Sequence, residues 1–121
     1  MIKVMIIDDE TQITTMLKKA LSRNKELSVS VFNNPLEALR QVLSEKPDVA
    51  LLDIMMPQMD GVEVLAELQK NSPGTKVIMM TAYSTLDRVL ASHKKGATDF
   101  ILKPFESLGA VEKKIVKLFN P

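Results

Sequence analysis

The sequence predicts a doubly wound α/β fold: a five-stranded parallel sheet in the order 2-1-3-4-5, covered by helices on both faces. Three observations carry that expectation. Apolar runs of strand length alternate with apolar stripes at helical spacing along the whole chain, which is how successive βα units read. The first, third and fourth runs are continuously apolar, as in strands buried on both faces, whereas the second alternates and the fifth is short. Right-handed crossovers with the second and fifth strands at the edges then give that order, with the topological switch point between strands one and three.

The elements follow in turn. Lys3 to Ile7 is the first strand, broken at Asp8-Asp9-Glu10, and Ile13, Met16, Leu17, Ala20 and Leu21 stripe the first helix. Leu27 to Phe32 alternates apolar residues with Ser28 and Ser30, as an edge strand does. Asn34-Pro35 supplies an N-cap and a proline at the first helical position; Leu36, Leu39 and Val42 or Leu43 form the second helix's stripe, and Pro47 ends it. Val49 to Asp53 is the third strand, and Pro57 turns the chain into a loop. Asp60-Gly61 starts a helix striped by Val62, Leu65, Ala66 and Leu68, closed by Ser72-Pro73-Gly74. Val77 to Met80 ends at Thr81, Leu86, Val89 and Leu90 mark a fourth helix, and Gly96 is its C-cap. Phe100 to Leu102 runs into Lys103-Pro104, and Leu108, Val111, Ile115, Leu118 and Phe119 stripe the last helix.

The length of 121 residues suits one compact core and is short for two, so residues 1–121 read as one domain. A net charge of +1 argues against general nucleic-acid binding by this domain, and no apolar run approaches a membrane span. The opening MIKVMIIDDE meets carboxylates too early for a signal peptide, and the absence of cysteine excludes disulfide and thiol chemistry, which fits a reducing cytoplasm.

Ligands of open parallel sheets bind at the carboxyl ends of the strands beside the switch point. There the first strand delivers Asp8 and Asp9, the third Asp53, the fourth Thr81 and the fifth Lys103. Carboxylates about 4 Å apart repel by roughly 4 kcal/mol per pair at an effective dielectric near 20, so the cluster calls for a cation. Mg²⁺, a hard ion that takes carboxylates, carbonyls, waters and phosphate oxygens, meets that need, with Mn²⁺ as a substitute. A carboxylate nucleophile, a metal, a lysine and a hydroxyl donor are the parts that phosphoryl transfer requires.

These residues, with Ile7-Asp8-Asp9-Glu10, Leu51-Leu52-Asp53-Ile54-Met55-Met56-Pro57, Met59-Asp60-Gly61, Met80-Thr81-Ala82, Gly96-Ala97-Thr98-Asp99-Phe100 and Lys103-Pro104-Phe105, closely resemble the receiver domain of two-component response regulators, of the chemotaxis type. The likeness covers essentially the whole chain and implies a flavodoxin-like (βα)5 architecture. It implies that Asp53 accepts a phosphoryl group from a sensor histidine kinase or phosphotransfer protein. Asp9 and, mainly through water, Asp8 would bind Mg²⁺ together with Asp53 and the Met55 backbone carbonyl. Thr81 and Lys103 would bind the phosphoryl oxygens. Thr81 and Phe100 would act as the switch, altering the face of the fourth helix, fifth strand and fifth helix that controls a downstream protein, a fused output domain or a phosphorylation-dependent dimer. The resemblance further implies a cis bond before Pro104, and a module that catalyses only its own phosphorylation and dephosphorylation. Met55 and Tyr83, at positions that modulate hydrolysis in the family, suggest a long-lived phosphoaspartate.

Taken singly, the residues have blander readings. Asp8-Asp9-Glu10 suits any helix N-terminus, Thr81 a strand-ending cap, Lys103 a solvated charge and Phe100 core filling. His93 reads as a surface histidine. The competing classes are an aspartate-nucleophile phosphatase, which needs a second acid where Met55 stands, a nucleotide or flavin binder, for which no glycine-rich loop is present, and a receiver that is never phosphorylated.

Overall fold

The computed structural model describes residues 1–82 and 96–120. Strands β1 (Ile2–Ile7), β2 (Leu27–Phe32), β3 (Val49–Asp53), β4 (Lys76–Thr81) and β5 (Asp99–Leu102) alternate with helices α1 (Thr11–Leu21), α2 (Pro35–Glu45) and α3 (Gly61–Asn71), and α4 (Leu108–Phe119) follows β5. The strands pair in parallel in the order β2-β1-β3-β4-β5, as the apolar runs predict. The fold is flavodoxin-like. The helix expected around Leu86, Val89 and Leu90, with Tyr83 and His93, lies outside the described residues; among those described there are four helices.

Strand alternation divides the core between the two faces of the sheet. Met5, Ile7, Ala50, Leu52, Val77 and Met79 pack with Ala38 and Val42 of α2 and with Val64, Leu65 and Leu68 of α3. On the other face Val4, Ile6, Val49, Leu51, Ile78, Met80 and Ile101 pack with Leu17 and Leu21 of α1 and Val111 and Ile115 of α4. Every residue of β3 is buried, while β2 and β5 are mixed, which makes β3 the central strand that its composition predicts.

The helix starts have local causes. Asn34 Oδ1 accepts from the Leu36 N–H at 2.9 Å, Asp60 Oδ1 from Val62 at 2.7 Å and Ser107 Oγ from Ala110 at 3.0 Å, each satisfying a donor that the first helical turn leaves free. Leu17, Leu21, Val42, Leu65, Leu68, Val111 and Ile115 are buried as expected, but other members of the predicted stripes are not. Leu36 and Leu43 of α2 are exposed and the smaller Ala38 and Val42 face the sheet; Met16 of α1 is exposed and Thr14 buried; in α3, Val64 is buried and Ala66 exposed. Residues two apart lie on different sides of a helix, so with Ala38, Thr14 and Val64 against the sheet, Leu36, Met16 and Ala66 turn to solvent.

Candidate functional site

The register of the strands assembles the site. Ile7 pairs with Leu52, Asp53 with Met80 and Thr81 with Leu102, so the carboxyl ends of β1, β3, β4 and β5 fall at one edge. Backbone bonds continue the alignment past the strands: the Asp8 N–H donates to the Phe32 carbonyl at 3.1 Å, that of Ile54 to Met80 at 3.1 Å and that of Lys103 to Thr81 at 2.6 Å. The Lys103–Pro104 peptide is cis, as the resemblance implies.

Lys103 is the centre of the charge cluster. Its Nζ lies 2.7 Å from Asp8 Oδ2, 3.2 Å from Glu10 Oε1 and 3.3 Å from Asp53 Oδ1. Asp8, Asp53 and Thr81 are all buried, whereas Glu10 and Met55 stand at the exposed rim. A cleft of about 170 Å³ is lined by Glu10, Asp53, Met55, Thr81 and Lys103, among others, so the acid at the end of β3 borders on solvent.

Neighbouring elements hold these groups in place. Asn33 donates through Nδ2 to the Asp8 backbone carbonyl and to Thr14 Oγ1, each at 2.9 Å, which ties the end of β1 to α1. Thr14 Oγ1 in turn donates to the Thr11 carbonyl at 3.0 Å, so this buried hydroxyl is satisfied. At the other wall, a Cβ on Gly61 would meet the Asp53 carbonyl oxygen at 2.4 Å and Ile54 Cα at 2.5 Å, and the Gly61 N–H donates to the Ile54 carbonyl at 2.8 Å. Only glycine lets α3 start this close to the backbone that carries Asp53.

The electrostatics follow from burial. Loss of hydration, then the charge of Asp8, pushes the Asp53 carboxyl up to about 7 against the opposing pull of Lys103. Asp8 is also raised by burial, although Lys103 and the Glu10 N–H, which bonds its Oδ1 at 2.9 Å, resist the change. Burial works against the Lys103 charge too, but its bond to Asp8 and the charges of Asp8 and Asp53 outweigh that and raise it above the ordinary lysine value. In the absence of metal, two carboxyls thus compete for one cation.

That shortage suits a divalent ion. Asp8, Glu10 and Asp53 each place a carboxylate oxygen within 4.8 Å of the others, a set of hard oxygen donors of the kind Mg²⁺ or Ca²⁺ takes. Asp9 is half-buried, and its charge helps to raise Asp53, but its oxygens are not part of this close group.

The family model described as the response regulator receiver domain matches residues 4–115. The chain belongs to the response-regulator receiver family. The receiver is 41% identical over 116 residues to the chemotaxis protein CheY of Listeria monocytogenes, covering 93% of this chain and 98% of that one. It is 38% identical over 115 residues to the DNA-binding transcriptional regulator NtrC of Escherichia coli, covering 93% of this chain but 24% of NtrC. A CheY-like receiver domain protein from Methanospirillum hungatei superposes with a TM-score of 0.91 at 31% identity, covering 99% of this chain and 94% of that one.

Within this receiver, Asp8, Asp53, Thr81 and Lys103 gather at one sheet edge, and Met55 lines the same cleft. Phe100, on β5, is half-buried and packs against the α2–α3 side of the core. Sequence reasoning did not single out Glu10 as a partner of Lys103, nor Asn33 and Thr14 as supports for Asp8. The polar pair Asn33-Asn34 just after an edge strand is the sole signal for the supports; nothing local marks the reach of Glu10. Among the described residues, no helix is long and apolar enough to cross a membrane.

Proposed function

We propose that residues 1–121 act as a phosphorelay switch in which Asp53 is the phosphoacceptor. One observation carries the reading: a buried carboxylate at the end of the central strand opens onto a cleft and faces, at 3.3 Å, a lysine that two further acids restrain. A phosphohistidine of a sensor kinase or phosphotransfer protein, or a small acyl phosphate, presents its phosphorus to an Asp53 Oδ. The new O–P bond forms as the P–N or P–O bond breaks, and the electron pair leaves with the imidazole or the carboxylate. Asp8, Asp9, Asp53 and the Met55 backbone carbonyl would hold Mg²⁺, which supplies positive charge to the phosphoryl oxygens and keeps Asp53 ionised. Lys103 turns its ammonium from Asp8 to a phosphoryl oxygen, and the Thr81 hydroxyl donates to another.

The aspartyl phosphate then shifts a two-state equilibrium by as much as the phosphoryl group binds one state better. Thr81 and Phe100 are the proposed switch residues, and β5, α4 and the helix predicted around Leu86 form the responding face. A cytoplasmic partner protein, a fused output domain or a second copy of the receiver reads that face, and the DNA binding named for NtrC is not a role of this domain. Its only chemistry is its own phosphorylation and dephosphorylation. Incubation with acetyl phosphate and Mg²⁺ should add the mass of one phosphoryl group to the intact chain and none to Asp53→Ala. Equal labelling of the variant would overturn the assignment, and turnover of a phosphomonoester would favour the phosphatase reading instead.

A further inference from the structure

Lys103 is shared by three carboxylates, and the exposed one of the three has no part in the phosphoryl transfer proposed above. The Glu10 side chain is 59% exposed, yet its Oε1 stands 3.2 Å from Lys103 Nζ, as close as Asp53 does at 3.3 Å. A glutamate at the start of a helix ordinarily faces solvent or bonds the first turn. Glu10 occupies the cap position of α1 without a side-chain cap bond and reaches across the cleft instead. Its backbone N–H is tied to Asp8 Oδ1 at 2.9 Å, so the reaching arm is rooted on the same acid that binds Lys103 most closely.

To meet a phosphoryl oxygen on Asp53, Lys103 has to give up its present partners. A divalent cation at Asp8 and Asp53 competes directly for the first and third of them. With Mg²⁺ held by the set proposed above (Asp8, Asp9, Asp53 and the Met55 carbonyl), the contact with Glu10 at the exposed rim is the restraint left on Lys103. We infer that Glu10 is a positioning residue that latches Lys103 before reaction and slows the turn of its ammonium toward the incoming phosphoryl group. The inference rests on the reading of Asp53 as the phosphoacceptor. Glu10 also puts a negative charge at the mouth that an anionic donor enters, and a shorter acid separates the two effects: aspartate keeps the charge and loses the reach.

Two measurements on the full chain test this for Glu10→Gln and Glu10→Asp. The first is the rate of self-phosphorylation by acetyl phosphate at saturating Mg²⁺, followed by intact mass. The second is the exchange of the Lys103 ammonium protons with water, followed by NMR in metal-free buffer. Both variants should phosphorylate about fivefold faster, equivalent to about 1 kcal/mol at about 1.4 kcal/mol per tenfold, and both should exchange faster. A lower or unchanged rate, acceleration in the glutamine variant alone, or unchanged exchange in either variant overturns the latch. A wild type that takes no label, or an Asp53→Ala variant that takes it, overturns the phosphoacceptor reading instead. The exchange measurement then still decides whether Glu10 holds Lys103.

Discussion

Replacing Asp53 with asparagine should stabilise the metal-free protein above neutral pH and leave it nearly unchanged in acid. Burial and the Asp8 charge lift the Asp53 carboxyl from the ordinary value of 3.8 to about 7 in the folded chain. Between those two values the folded protein keeps a proton that the unfolded chain has lost. Stability therefore falls as pH climbs through this window and stays at its lower level above it. At about 1.4 kcal/mol per pH unit, the interval from 3.8 to about 7 sets an upper figure of about 4 kcal/mol. Asparagine gives up part of the contact with Lys103, so a gain of about 2 kcal/mol is expected at about pH 8. Asp8 is raised by the same burial and titrates together with Asp53, so the wild-type loss belongs to the pair. Urea unfolding in a chelating buffer, followed by far-ultraviolet circular dichroism from about pH 5 to about pH 8.5, measures the difference between the two proteins. A variant less stable than wild type at alkaline pH, or a gap that does not shrink on acidification, would refute the reasoning and show the acids already well paired.

Other perturbations test the remaining contacts. Lys103→Ala strips the cation from three carboxylates and should cost the metal-free protein about 3 kcal/mol by chemical denaturation, with part of the loss recovered on adding Mg²⁺. Its cost should shrink in the Asp53→Asn background, which a double-mutant cycle reads directly. Gly61→Ala forces a methyl into the Asp53 carbonyl and the Ile54 backbone, so a loss of at least about 2 kcal/mol is expected, with slower labelling of Asp53 in whatever remains folded. Met55→Asn puts an amide at the rim of the acceptor cleft, where it can orient water; the phosphoryl mass should disappear several-fold faster after removal of the donor, and an unchanged decay would show that Met55 does not shield the phosphoaspartate.

The sheet was legible because its signal is local. Continuous apolar runs mark buried parallel strands, and the first polar residue after each run marks where the strand leaves the core, which is enough to bring Asp8, Asp53, Thr81 and Lys103 to one sheet edge. The helices were legible as elements and in part as faces, since Leu17, Leu21, Leu65, Leu68, Val111 and Ile115 are buried as their spacing predicts. Leu36 and Leu43 look as suitable for a core as Ala38 and Val42, and only the space beneath α2 decides between them. Thr14 escaped because a buried hydroxyl is predictable only with its partners known, and its partners are the Thr11 carbonyl and the side chain of Asn33. For the charges, sequence brings Asp8, Asp53 and Lys103 together but shows neither the reach of Glu10 nor how the acids share the lysine. That Lys103 sits nearest Asp8, with Glu10 and Asp53 almost equidistant behind it, depends on tenths of an ångström set by the backbone.

The close approach of Gly61 to the Asp53 backbone gives the receiver a stiff side and a compliant side. On the α3 side there is no slack: the helix start, its Asp60 cap and the bond to the Ile54 carbonyl form one block with the main chain of Asp53. On the opposite side Asp53 meets an ion pair, and a long side chain can trade carboxylate partners without disturbing the sheet. A displacement of the Asp53 side chain is thus opposed on the first side and accommodated on the second. If Asp53 is phosphorylated as proposed, the glycine would serve as an anvil, leaving the Lys103 side as the one free to respond.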